Sequence, residues 1–282
     1  MESALPGPRK PYLIIRPPKG WAALDLHELW QFRDLLLTLA ARDVKLRYRQ
    51  TALGVVWVVL QPLLLSGIFT IIFGVIGNMP TGGLPPFLFS FAGLLGYAAF
   101  NSTLTKSSIS LIGNAHLVSK VYFPRMAMPL STVFSALIDF GVSFVVVLLL
   151  MALYHVPPTH RMIYLPAFLA LFLAMGVGFG LLSSALTVSY RDVQYIVPVF
   201  VTAFQLFSPI GFDTSKIPAR VLPWYMIVDP LAGLVEAFRW SLLGGGTVHW
   251  GYVVYSAVFS LVALLVGAIM FKRMERKFAD VI

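Results

Sequence analysis

The 282-residue sequence contains no cysteine, which excludes disulfides and thiolate metal sites and removes any clue to redox compartment. Charge is scarce as well: 12% of residues are charged, against ~25% in an ordinary soluble domain. Hydrophobic residues make up 58% and mean hydropathy is +0.82, more apolar surface than a water-soluble fold can hide. Three chemical devices are missing. No G-x-x-x-x-G-K-[ST] pattern occurs, since Gly244-Gly245-Gly246 leads to Thr247 without a lysine, so the chain has no phosphate-cradling loop of that kind. The histidines, at 27, 116, 155, 160 and 249, share no ligand spacing, which argues against a metal centre. No G-x-S-x-G elbow is present. Internal repeats are absent too, and with them the inverted-repeat signature of many ion-coupled transporters. The proline-rich start, MESALPGPRKPYLIIRPPKG, lacks the apolar run of roughly 7–15 residues of a signal peptide and is expected to be a flexible arm.

What the chain has is long apolar runs. Residues 52–76, 86–105, 128–153, 163–189 and 250–271 each reach the ~20 residues of a bilayer-spanning helix. A shorter run, 194–212, is punctuated by Pro198, Gln205 and Pro209 and is taken as a further span. The expected fold is therefore an all-α integral membrane protein. It has six transmembrane helices, an N-terminal interfacial amphipathic helix, and short re-entrant outer helices between spans five and six. Residues 1–51 form the cytoplasmic arm and interfacial helix, 52–271 the membrane domain and 272–282 a cytoplasmic tail. In 24–44, Leu26, Leu29, Trp30, Leu36, Leu37 and Ala40 follow a 3.6-residue period opposite His27, Glu28, Gln31, Asp34 and Thr38. The net charge of +9 follows topology: of the 21 Lys and Arg, only Arg161, Lys216, Arg220 and Arg239 fall outside the segments assigned to the inner face. The positive-inside rule then places both termini in the cytoplasm, with no need of nucleic acid as a partner.

The connections carry the polar candidates. Residues 105–127, TKSSISLIGNAHLVSKVYFPRMA, form the longest inner loop, with a short helix expected over 107–119; with the turn at Arg191 and Asp192 it is the surface a cytoplasmic partner would grip. On the outer side, 221–243 holds an apolar stretch too short to cross and is expected to dip back into the outer leaflet, its backbone covered by protein. Glu236 and Arg239, three residues apart there, are expected to pair on one helix face. Asp139, the one clear acid within a span, is expected to bond a neighbouring Ser or Thr or to face a wet cavity, because an Asp at mid-span costs roughly 2.5–3.5 kcal/mol. Among the many aromatics, Trp57, Phe69, Phe73, Tyr97, Phe100, Phe204 and Phe207 lie on spans or at their mouths. Aromatic faces suit the C–H faces of sugar rings, although packing and interfacial belts account for most such residues.

Four stretches together resemble the polysaccharide-export permeases of the type-2 ABC exporter family, which move lipid-linked O-antigen, capsule or teichoic acid. They are Arg42 to Gly74, with Gly54, Trp57, Leu60 and Pro62; Leu117 to Leu130, with Lys120, Phe123, Pro124 and Arg125; Ser189 to Phe212; and Asp229 to Gly244. Two positions depart from the pattern. Asp229 stands where Asn is common before Pro, and Gly211 stands where a bulkier residue is frequent. The resemblance implies a homodimer enclosing a conduit in a bacterial cytoplasmic (inner) membrane. Two copies of a separate ATP-binding subunit, which carry ATP and Mg, would dock beneath it, so this chain needs no cofactor of its own. The coupling loop would include Ser107, Leu111, Asn114, His116 and Ser119 with Arg191 and Asp192. Arg42, Lys45, Arg47 and Arg49 would attract the lipid diphosphate that carries the glycan, or anchor topology against membrane lipids. The alternatives are a type-2 permease for drugs or lipids and, from another class, a membrane enzyme acting on lipid-linked sugars. Such an enzyme needs convergent polar groups at one membrane face, and only scattered ones are visible.

Overall fold

A computed structural model describes residues 30–49, 55–120, 123–275 and 278, with the side chains of 46–49, 55 and 119 outside the description. The arm, Leu26 to Leu29 of the expected amphipathic helix, and Gly54 lie outside the described residues. Ten α-helices are described: α1 (Arg33–Arg49), α2 (Val55–Phe69), α3 (Pro86–Gly113), α4 (Ala115–Lys120), α5 (Ala127–Leu153), α6 (Leu165–Ser189), α7 (Val193–Phe207), α8 (Leu222–Val228), α9 (Ala232–Leu243) and α10 (Trp250–Glu275). Five helical stretches are long and apolar enough to cross a membrane, 56–76, 86–113, 127–153, 160–189 and 250–275. The fifth expected span is α7, whose 15 residues reach only about 22 Å. Its chain nevertheless travels between the two ends of the bundle, from the turn at Tyr190–Asp192 to Asp213, whose N–H donates to Pro80 O in the loop after α2.

Burial ranks the helices. In α3 78% of the apolar window is buried, against 11% for the 56–76 segment, so α3 is the hub and α2 a flank. Close approach is made possible by small residues, as expected where the lipid supplies no hydrophobic drive. A Cβ on Gly267 of α10 would lie 2.0 Å from Gly178 O of α6, and one on Gly180 would lie 2.5 Å from Ser107 Cβ of α3. The 56–76 segment changes winding part-way: from Thr70 to Ile76 it is π-helical, with Gly77 N–H donating to Ile72 O. Pro62, lacking an N–H, leaves Val58 O without its helical donor, and Ser143 Oγ of α5 faces that carbonyl at 3.5 Å.

The inner loop differs from expectation. The small and apolar run after Asn101 has no breaker before Gly113-Asn114, so α3 continues to Gly113, about 42 Å long against a hydrocarbon core of ~30 Å. Asn114, at φ −124° and ψ 25°, ends it, and the short helix is only α4. The N-terminal helix starts within the predicted range but reaches Arg49. Leu39 and Ala40 bury it against the bundle, whereas Trp30 and Leu37 stay exposed. The expected apolar face is thus divided between protein and the surroundings. The segment expected to be re-entrant forms α8 and α9, joined at Asp229-Pro230, and every residue of α9 except Trp240 is buried.

Candidate functional site

Between α2, α3, α5 and α7 lies a half-open groove of about 250 Å3. Its polar rim includes Gln61, Asn101, Thr105, Lys106, Asp139 and Gln205; its apolar floor includes Val58, Pro62, Leu65, Leu95 and Phe140. Lys106 Nζ donates to Asp139 Oδ2 and to Ser135 Oγ, each at 2.8 Å. Asp139, expected to bond a Ser or Thr or to face a wet cavity, lines the groove and gains a basic partner besides: because α3 does not stop at residue 105, Lys106 sits on the same continuous helix as Asn101 and reaches α5. The side chains keep 27% and 15% exposure, so the pair borders the groove rather than being sealed.

The expected path aromatics separate by burial. Phe69, Tyr97 and Phe100 are at most 3% exposed and belong to the core; Tyr97 borders the groove and spends its hydroxyl on Val201 O of α7. Phe69, at the end of α2, stacks on Phe73, and Phe100 of α3 lines an apolar cavity of about 140 Å3 with Phe179, Phe200 and Phe204. Phe73 and Phe204 are half-buried, and Trp57 and Phe207 are exposed. Gly211 has a reason to lack a side chain, since a Cβ would lie 2.5 Å from the Phe73 ring and 2.9 Å from Phe69.

At the end of the bundle holding α1 and α4, the coupling residues also separate. Ser107 and Leu111 are buried, which corrects their assignment to a partner-gripping loop: Ser107 Oγ donates to Pro129 O at 3.0 Å and lies 2.7 Å from Thr132 Oγ1, welding α3 to α5. Asn114 is half-buried, and His116, Arg191 and Asp192 are exposed. The Ser119 side chain lies outside the described residues. Of the basic cluster, Arg42 is engaged, donating to Asp43 Oδ1 and to Asn114 Oδ1 at 2.8 and 2.7 Å, while Lys45 is exposed. The side chains of Arg47 and Arg49 lie outside the description. At the same end Arg125 Nη1 donates to Glu275 O, capping α10.

The opposite end is a knot of buried charge. Glu236 and Arg239 do not form the expected surface pair; both are 1% exposed and look to different partners, because α9 is packed into the bundle and no face of it is left to solvent there. Glu236 accepts from Thr214 Oγ1 and from the N–H of His249, whose ring lies 3.2 Å away. Arg239 donates to Pro209 O at 2.9 Å and lies 3.6 Å over the Phe89 ring. Asp213 accepts from Thr247 N–H, Thr247 Oγ1 and Ser215 N–H at 2.6–2.9 Å. Burial alone would raise its carboxyl pKa, but these bonds outweigh burial and hold it below the usual value. Asp229 accepts from Ser208 Oγ and from the N–H of Leu231, fixing the corner between α8 and α9. Of these residues the sequence singled out Glu236 and Arg239 as a pair and Asp229 as a departure, whereas nothing there marked Asp213.

A model of the family described as ABC-2 type transporter matches residues 34–243, from the first turn of α1 to the last residue of α9. The chain belongs to the ABC-2 type transporter family. Several curated relatives of this ABC-2 chain carry transport names. An "O-antigen export system permease protein RfbA" of Klebsiella pneumoniae is 26% identical over 250 residues, covering 88% of this chain and 95% of that protein. A protein of the same name from Myxococcus xanthus is 26% identical, covering 90% and 98%. The "Polysialic acid transport protein KpsM" of Escherichia coli is 26% identical, covering 84% and 92%. The family match includes α1, the groove, α8 and the buried α9. It includes Arg125 but ends before α10, whose last carbonyl that residue caps.

Proposed function

We propose that this ABC-2 chain is the membrane-spanning permease subunit of an ATP-driven exporter that moves lipid-linked polysaccharide across a bacterial cytoplasmic membrane. The observation that carries the reading is the near full-length similarity to relatives named for O-antigen export and polysialic acid transport. The sequence adds that no Walker A pattern is present, so the power stroke comes from a separate ATP-binding subunit. Two copies of the chain and two of that subunit make the working unit, with both termini cytoplasmic and six crossings per chain. The exposed residues His116, Arg191 and Asp192, with Asn114 beside them, are the coupling contact in this reading. Among the described side chains of the basic cluster, Lys45 is the exposed one, open to a lipid diphosphate.

The test is deletion of the gene followed by analysis of surface glycan, with complementation by the wild-type chain. Loss of surface glycan with accumulation of lipid-linked glycan inside is the expected result, and an unchanged coat rejects the reading. Co-expression with the ATP-binding partner gives the second measurement: His116→Ala combined with Arg191→Glu lowers glycan export per assembled complex by about tenfold, the factor carried by ~1.4 kcal/mol of lost contact.

A further inference from the structure

The groove is lined by a half-buried charge pair, Lys106 and Asp139, with open volume beside it. Its ammonium and carboxylate stand 2.8 Å apart and remain partly exposed, on helices otherwise rich in apolar residues. Two such charges facing hydrocarbon would each cost several kcal/mol, so their setting on an indentation with amide and hydroxyl neighbours keeps them hydrated. A hydroxyl-bearing ring is the ligand this chemistry fits. The ammonium donates, the carboxylate accepts, and a vicinal diol offers an acceptor and a donor side by side at similar spacing, in charge-assisted bonds. Asn101 and Gln61 add amides that both donate and accept, while Pro62 and Phe140 offer apolar surface to the C–H face of the same ring.

We infer that the Lys106–Asp139 pair is a hydroxyl-reading subsite for single sugar rings of the passing glycan, a reading that rests on the polysaccharide function above. The volume of about 250 Å3 lies below the ~300–1,000 Å3 of a small-molecule pocket, so the subsite takes one ring at a time and does not store a chain. The pair carries no net charge when both members are ionised, so it selects for hydroxyl pattern and not for acidic sugars.

The chain has no native cysteine, so a thiol at Asn101→Cys reports alone. The complete exporter, with its ATP-binding partner in cell membranes, is treated with a small cationic methanethiosulfonate. The expected result is ready labelling when glycan synthesis is switched off and labelling about tenfold slower while glycan is being exported, the factor that one charge-assisted hydrogen bond carries. Adding Lys106→Met with Asp139→Leu removes that protection and lowers export per assembled complex by a similar factor. An unreactive thiol, or one labelled equally with and without moving glycan, overturns the subsite even when the wild-type chain exports normally. Unchanged export by the assembled double variant does the same. If the double variant does not assemble, protection of the single thiol decides alone. An unchanged glycan coat after gene deletion, by contrast, rejects the function itself.

Discussion

Two sets of intramolecular charge occupy this protein under opposite conditions. Lys106 and Asp139 keep 27% and 15% of their side-chain surface open beside a groove. Glu236 and Arg239 are 1% exposed and bond to backbone groups and to a loop threonine. The first set holds a donor and an acceptor toward space that a ligand can enter. The second uses its polar groups to satisfy the irregular chain around α8 and α9, which membrane physics tolerates only where protein covers it. Burial of charge alone therefore does not mark a functional site; what lies on the open side of it does.

The sharpest way to break that contrast is Arg239→Leu. It orphans Pro209 O and leaves Glu236 and Asp213 without a nearby cation, so the expected loss is about 3–5 kcal/mol, typical when one partner of a buried charge network is removed. Thermal unfolding of the detergent-solubilised complex checks it; a change under about 1 kcal/mol would assign Arg239 to the same class as the groove pair. Asp213→Asn comes next. It weakens three hydrogen bonds that tie Ser215 and Thr247 together, with an expected cost of about 1.5–3 kcal/mol at neutral pH for bonds to a charged group. Because the folded carboxyl pKa is lowered from 3.8, this contribution is fully present above that value and is lost as pH falls through the lower folded pKa. The stability gap between wild type and variant should thus close on acidification below about pH 4 and stay constant from pH 5 to 8. A gap that widened in acid would reverse the sign of the argument.

Much of the fold could be read from the sequence, because apolar runs of bilayer length leave a helix few alternatives, and the five strongest runs recur as helices within a few residues, except at the inner end of α3. That end was misread because the apolar run was closed at residue 105, just before Lys106. The better signal was local: nothing between Asn101 and Gly113 breaks a helix, and a lysine with a carboxylate partner across the helix interface can remain in the bundle. The same misreading hid the partner of Asp139 and placed Ser107 and Leu111 on a loop surface. The outer knot was illegible for a different reason. Glu236 and Arg239 are three residues apart and so read as a pair, yet tertiary contacts from Thr214, His249 and Pro209 claim them first. Helical spacing shows who is adjacent and not who is bonded.

A steric probe tests whether packing, and not charge, holds the hub. Gly267→Ala places a methyl 2.0 Å from Gly178 O, backbone that cannot rotate away, so α6 and α10 must separate. The expected cost is about 1–3 kcal/mol, the range for an overpacked helix contact. Gly141→Ala is the matched control, since open space surrounds its Cβ position, and it should cost nothing measurable or stabilise slightly by helix propensity. Equal melting shifts in the two variants would remove the close-packing account.

The smallest expected effect sharpens the opening contrast most, because it concerns the stability of the groove pair itself. Replacing both members together, Lys106→Met with Asp139→Leu, takes the ammonium away from Ser135 Oγ, a neutral hydroxyl that can instead bond to a carbonyl of its own helix turn. Apolar pairs of similar volume in place of a buried ion pair are often neutral or stabilising, so the unfolding midpoint should shift by less than the equivalent of about 1 kcal/mol. The corresponding operation at the outer knot, Glu236→Leu with Arg239→Leu, strands the buried Thr214 Oγ1 and Pro209 O together with the His249 N–H, and should cost several times more. If the two double variants melt alike, the groove pair is a structural clamp. If only the knot collapses, the charges at the groove are spared from structural duty and available to a ligand.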